Sequence, residues 1–169
     1  IGAELYQTAR YNSLVGSISN FRILNGTCLY TSNFTAPTSA LTAITNTKLL
    51  TCQSNRFVDN SASSHTVTVT GAPAVTAFGP FLTSAVYDPA VNGASAYMDG
   101  SGDTLRATWT AADIINQNFT LEYWLYFQET SGYGTVSIGA NDNSASYVHL
   151  SYASNGQVFS DDGQNSGSG

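Results

Sequence analysis

Charge is what this chain has least of. Only 9% of its 169 residues are Asp, Glu, Lys or Arg, against roughly 25% in an ordinary soluble domain. Lysine occurs once, at Lys48, and Arg10, Arg22, Lys48, Arg56 and Arg106 form no basic run. The net charge is −6. A chain without a basic footprint cannot neutralise a phosphate backbone, so nucleic acid is excluded as an expected partner. No apolar run reaches the roughly 18 residues of a membrane-spanning helix, and no secretory leader pattern is visible, so membrane insertion is not expected. Methionine occurs once, at Met98. The chain opens on Ile1 and runs out in "DDGQNSGSG" with no closing strand. From these ends it is expected to be part of a longer polypeptide or a processed product.

Cysteine is nearly absent too. Cys28 and Cys52 enclose 23 residues. Two are too few for a disulfide scaffold. They could close one bridge, a candidate disulfide stabilising by about 3 kcal/mol on a chain-entropy argument. The favoured reading is two buried thiols on strands.

Hydroxyls and amides take the place of charge. Serine (21), threonine (20) and asparagine (14) make up about a third of the chain, while 42% is hydrophobic, enough for a core. Threonine favours strands, and serine and asparagine favour turns. The composition is that of an all-β protein with an uncharged, polar exterior.

The clearest strand is "NFTLEYWLYFQ". Phe119, Leu121, Tyr123, Leu125 and Phe127 alternate with Thr120, Glu122, Trp124 and Tyr126. A side-chain period of two gives one wholly apolar face, and Trp124 and Tyr126 imply that the other face is covered as well. Upstream, "VGSISNFRILNG" places Phe21 and Ile23 on one face before an Asn25-Gly26 turn. "TCLYT" reads as a brief strand and "NFTAPTSALTAITNT" as an ordered loop. "TKLLTCQS" is a strand with Leu49 and Leu50 most buried. "SNRFVDNSASS" is a turn, and "HTVTVTG" points Val67 and Val69 inward. Residues 73–93 hold three of the four prolines, Pro73, Pro80 and Pro89. Proline removes a ladder donor, so this stretch reads as an extended linker, with Phe78, Phe81 and Tyr87 docking on a neighbouring surface. "ASAYMDGSGDTLRATW" reads as a hairpin about Asp99-Gly100, and "TAADIINQN" as the one helical turn. "GTVSIGA", "SYVHLSYA" and "GQVFSD" are further strands. Strands recurring every 8–12 residues point to an antiparallel sandwich or barrel.

Three of these segments carry a family resemblance. "GSISNFRILNGTCLYTSNFTAPTSALTAITNTKLLTCQSN" resembles the closing portion of the concanavalin A-like, laminin-G-type jelly roll found in phage and marine bacterial surface proteins. "AYMDGSGDTLRA" resembles its opening hairpin, and "NFTLEYWLYF" the strand that follows. The order is inverted relative to the family. The resemblance therefore implies residues 1–72 as the C-terminal half of one sandwich, 73–93 as a linker and 94–169 as the N-terminal half of the next. The competing arrangement is a single permuted sandwich. In the tandem arrangement the Phe119 strand would pack against residues outside this sequence.

Glucanases of this superfamily carry E-x-D-x-x-E on one strand, an acid and a nucleophile on one face. The only glutamates here are Glu4, Glu122 and Glu129, and Trp124, not aspartate, stands two positions after Glu122. No G-x-S-x-G elbow exists, and His65 and His149 are isolated in strand patterns. The expectation is a non-enzymatic protein. Relatives of this fold bind Ca²⁺ at a sandwich rim. Asp99 and Asp103 in "MDGSGD" are the candidate metal ligands, although the same residues are what a tight turn needs. The family's other use is glycan binding, by aromatic stacking with amide and backbone hydrogen bonds. Tyr133, Asn141, Asp142, Tyr147 and Tyr152 are the candidates. The sequons at Asn25, Asn33 and Asn118 are what chance provides in so Asn- and Thr-rich a chain.

The resemblance thus implies a structural or attachment module of a virion protein, such as a tail fibre or a head or neck appendage. Its expected partners are other virion subunits in an oligomer and a host-surface glycan. The alternative is a carbohydrate-binding adhesin module of a secreted bacterial surface protein.

Overall fold

The computed structural model describes residues 1–6, 9–11, 13–81, 93–108, 118–128, 133–139, 147–153 and 158–161. It is all-β and antiparallel, with no helix among those residues. None is therefore long and apolar enough to cross a membrane. The strands are β1 (Glu4–Tyr6), β2 (Ala9–Tyr11), β3 (Val15–Asn25), β4 (Thr47–Thr51), β5 (Val67–Thr70), β6 (Ala74–Thr76), β7 (Ser95–Asp99), β8 (Thr104–Ala107), β9 (Phe119–Phe127), β10 (Tyr133–Gly139), β11 (Tyr147–Ala153) and β12 (Val158–Asp161).

The organising strand is β3. Along one side it pairs with β9, from Gly16↔Phe127 to Asn25↔Phe119. Along the other it meets two strands end to end: β7 against Val15–Ile18 and β4 against Phe21–Leu24. β6 continues the sheet beyond β7. Separate ladders join β5 to β8, and β10 to β11 to β12. The Phe119 strand therefore has its partner within the chain, and strands from both parts of the sequence share one sheet.

A phase problem in the sequence explains the irregularity in β3. Ile18 and Ile23 are separated by five residues, so strict alternation would send them to opposite faces. Both lie in the core, with Phe21. One extra residue restores the phase. Ser19 pairs with Trp124 and Arg22 with Glu122, so two residues of β3, Asn20 and Phe21, stand opposite Tyr123 alone. This is a β-bulge, and Asn20 takes it in the left-handed region at φ 54°, where asparagine is better tolerated than most residues. The bulge is also where the neighbour of β3 changes. Asn20 N donates to Cys52 O, just past β4, and Ser19 Oγ donates to Ala94 O, just before β7. Phe21 then stacks on Tyr123 with ring centroids 5.4 Å apart.

The core lies between the inner face of this sheet and strands β8 and β10. Leu14, Ile18, Phe21, Ile23, Leu49, Cys52, Ala96, Met98, Leu105, Val136 and Ile138 form it. Phe119, Leu121, Tyr123, Leu125 and Phe127 pack against it, the apolar face that alternation predicts for β9. Gly16 lets β9 come close, since a Cβ there would lie 2.2 Å from the carbonyl oxygen of Tyr126.

Four expectations need correction. "TCLYT" is not a strand but part of a long strap, residues 26–46, between β3 and β4. Val69 is 43% exposed, on a strand that is paired on one side only among the described residues. Within the expected linker, Ala74–Thr76 forms β6 and pairs with β7; edge strands tolerate a nearby proline. The Asp99-Gly100 turn does not close a hairpin, for β7 pairs with β3 and β6 while β8 pairs with β5. The chain changes sheets at that turn. The helical turn expected in "TAADIINQN" and the docking of Tyr87 fall outside the described residues.

Candidate functional site

The outer face of β3 and β9 carries the cross-strand pairs Leu24↔Thr120, Arg22↔Glu122, Ser19↔Trp124 and Ser17↔Tyr126. Its two halves are covered differently.

The strap covers the first half. Arg22 Nε donates to Glu122 Oε1 at 2.5 Å, its Nη2 pairs with the same oxygen, and its Nη1 donates to Thr42 O at 2.8 Å. Tyr30 Oη donates to Glu122 Oε2 at 2.5 Å. Burial, then the hydrogen bond to Glu122, pushes the Tyr30 phenol above its ordinary pKa. Leu29 N donates to Thr120 Oγ1, and Leu41 N to Asn20 Oδ1. A buried ion pair with its remaining donors and acceptors satisfied is a clasp. It ties the strap to β3 and β9 and leaves both oxygens of Glu122 engaged.

Phe78–Phe81 cover the second half, and there a pocket opens. Phe78 packs on Tyr126 (centroids 4.8 Å, planes at 54°), and Phe81 packs on Trp124 edge-on (5.0 Å, 73°). The pocket, about 170 Å³, is lined by Phe78, Trp124 and Tyr126, by Gly79, Pro80 and Leu125, and by Ser17, Ser19 and Ser95. Tyr126 is 51% and Phe78 46% exposed. Two of the hydroxyls are already committed. Ser19 Oγ donates to Ala94 O at 2.6 Å and accepts from Asn20 Nδ2, and Ser95 Oγ shares a hydrogen bond with Thr76. The sequence announces the docking of Phe78 and Phe81 and the covering of Trp124 and Tyr126. What it does not announce is that both events form one concavity, floored by serines from β3 and β7.

Of the glycan candidates named from sequence, Tyr133, Tyr147 and Tyr152 lie on β10 and β11. Register sets Gly134 opposite Tyr152 and Gly139 opposite Tyr147. Tyr133 and Tyr152 therefore share one end of the β10–β11 ladder. Tyr147 lies at the other end, six residues away along β10, or about 20 Å. Asn141 and Asp142 fall outside the described residues.

The candidate metal ligands are brought together, but as turn caps. Asp103 is 2% exposed. Its Oδ1 accepts from Ala72 N at 2.6 Å and its Oδ2 from Asp99 N at 3.0 Å. Asp99 Oδ1 accepts from Ser101 N at 2.7 Å. Three carboxylate oxygens thus face N–H donors, whereas a Ca²⁺ cage needs them facing the ion. Among the described residues no three acidic, His or Cys side chains converge on a metal position. The arrangement fits a capped turn and does not fit calcium.

Both cysteines are free thiols, which corrects the candidate disulfide. Cys52 lies in the core, and burial pushes its thiol up to about 12. Cys28 is exposed on the strap, so it is neither buried nor on a strand. The strap crosses the outer face of the sheet and Cys52 packs on the inner one, so the sheet stands between them.

Searches of protein-family models, of curated proteins and of solved structures gave no match to this chain.

Proposed function

We propose that this chain is a non-enzymatic attachment module that recognises carbohydrate through the pocket between Trp124, Tyr126 and Phe78, in a sandwich of jelly-roll type. The observation that carries this reading is the pocket's make-up. It is an open concavity with aromatic walls and a floor of small hydroxylated residues, and among the described residues no charged side chain lines it. A sugar presents an apolar ring face to aromatics and hydroxyls to hydrogen-bonding groups, and such a concavity serves both.

Two further features support it. Glu122, the carboxylate nearest the pocket along β9, is held by Arg22 and Tyr30, which suits a structural role rather than acid–base work. The low surface charge suits an extracellular setting where specificity rests on neutral hydrogen bonding. The sequence resemblance makes a virion protein, such as a tail fibre or a head or neck appendage, the proposed carrier. Sharing of β3 between the two parts of the chain favours the permuted single sandwich over two half-domains.

The test is a glycan array probed with the purified chain, beside Tyr126→Ala. Tyr126 is half exposed, so the variant should keep its melting temperature. Binding that weakens clearly in the variant is expected. Failure to bind any glycan would sink the reading. Recovery of the polypeptide from cell envelopes rather than purified particles would move the module to a bacterial adhesin.

A further inference from the structure

We infer that the pocket takes a single neutral sugar bearing a methyl group, an N-acetylated or 6-deoxy hexose, with the methyl end inward and the hydroxyls toward solvent. This rests on the carbohydrate reading above and narrows it.

Size sets the first limit. The pocket's volume, about 170 Å³, lies below the roughly 300–1,000 Å³ of pockets that take drug-sized ligands, which suits a single sugar ring.

Charge sets the second. Among the described residues the pocket lining has no cation. The nearest one along β3 is Arg22, and its guanidinium is spent on Glu122 and on Thr42 O. A uronic or sialic acid would enter without a counter-charge, against a chain of net charge −6.

Hydrogen-bonding capacity sets the third. Ser19 both donates and accepts within the fold and Ser95 is bonded to Thr76, which leaves Ser17, the phenol of Tyr126 and the remaining capacity of Ser95 to receive a ligand. Most hydroxyls of an ordinary hexose turned inward would lose water and find no partner, a penalty on every one. A methyl group meets the opposite circumstance. Phe78 stands at 54° to Tyr126, and both line the pocket beside Trp124 and Leu125, so the walls form a corner rather than one flat platform. A ring laid on one wall brings its substituent against the next, where only carbon awaits it.

The experiment is a titration of the chain, followed by tryptophan fluorescence and by saturation-transfer NMR. Four probes are used: methyl N-acetyl-glucosaminide, methyl fucoside, methyl glucoside and glucuronic acid. The two methyl-bearing sugars should bind about four- to tenfold more tightly than methyl glucoside, one buried methyl being worth about fourfold. Saturation should fall most strongly on the acetamido or C6 methyl. Trp124→Ala should abolish both effects. Tyr126→Ala, at a half-exposed position, should weaken binding at unchanged melting temperature and guards against a Trp124 variant that fails to fold. Equal affinity for methyl glucoside, or preference for glucuronic acid, would overturn the inference while the carbohydrate reading stands. No binding of any probe, together with an empty glycan array, would overturn both.

Discussion

Arg22 and Glu122 are cross-strand neighbours on β3 and β9 although 100 residues separate them in the chain. Their side chains are 6% and 10% exposed, and Tyr30 closes the far oxygen of the carboxylate. The pair fastens β3 and the strap that follows it to β9, about a hundred residues further along the chain.

Breaking that pair from either side should be costly. Arg22→Ala or Glu122→Ala leaves a buried charge alone and is expected to destabilise by about 3–5 kcal/mol. Replacing both, Arg22→Met with Glu122→Leu, should cost less than either single change. Urea melts of the four proteins measure this, and a double variant as unstable as the sum of the singles would contradict it.

The Tyr30 bond is expected to act on pH dependence. Its phenol is raised in the fold, by burial and then by the Glu122 hydrogen bond. A raised acid stabilises while protonated, so its contribution is complete below the ordinary tyrosine pKa of about 10 and fades as pH rises past it. Ultraviolet titration should show a late-titrating tyrosine that Tyr30→Phe removes.

Asn20 has two duties, and substitution can separate them. Asn20→Gly keeps the left-handed backbone but loses the bonds to Leu41 N and Ser19 Oγ. Asn20→Ala loses both bonds and adds about 1 kcal/mol of backbone strain. The glycine variant should lose about 1–3 kcal/mol for the unpaired buried groups, and the alanine variant about 1 kcal/mol more. Thermal melts would reveal the order, and a reversed order would show that backbone conformation does not matter there.

The two thiols should differ sharply in reactivity. Exposed Cys28 should react at once with a thiol reagent, and Cys28→Ser should abolish the fast phase. Cys52 should react only on unfolding. Its thiol is pushed up to about 12 from 9.0. Its contribution to stability is therefore whole below about pH 9 and lost as pH climbs toward 12. Two fast thiols in the native protein would refute the burial of Cys52.

Asp103 should behave as a turn cap and not as a metal ligand. Asp103→Asn sets an amide against Ala72 N or Asp99 N and should cost about 1–3 kcal/mol. Millimolar calcium should leave the melting temperature of the parent chain unchanged. A calcium-dependent rise that the variant lacks would reinstate the metal reading.

Legibility along this chain follows the range of the interaction involved. The alternation in Phe119–Phe127 names its own buried face, and the Asp99–Asp103 turn names its local caps, because Asp99 N and Ser101 N lie within a few residues of the carboxylates they bond; the bond from Ala72 N to Asp103 is not local. The sequence shows less where neighbours are distant. β6 passes for linker because its three residues have meaning only beside β7. The bulge at Asn20 is visible in hindsight as a phase error between Ile18 and Ile23. The pocket could have been suspected from four aromatics, Phe78, Phe81, Trp124 and Tyr126, that the core does not need.

Composition and short-range pattern by themselves determine that this chain is all-β, weakly charged and hydroxyl-coated, because strand propensity, turn chemistry and side-chain alternation act over neighbouring residues. Only the tertiary structure decides that β7 and β4 share one side of β3, that Arg22 meets Glu122, and that Phe78, Trp124, Tyr126 and three serines line one pocket. Those outcomes depend on register between strands up to a hundred residues apart, which packing of the whole core selects and no local segment encodes.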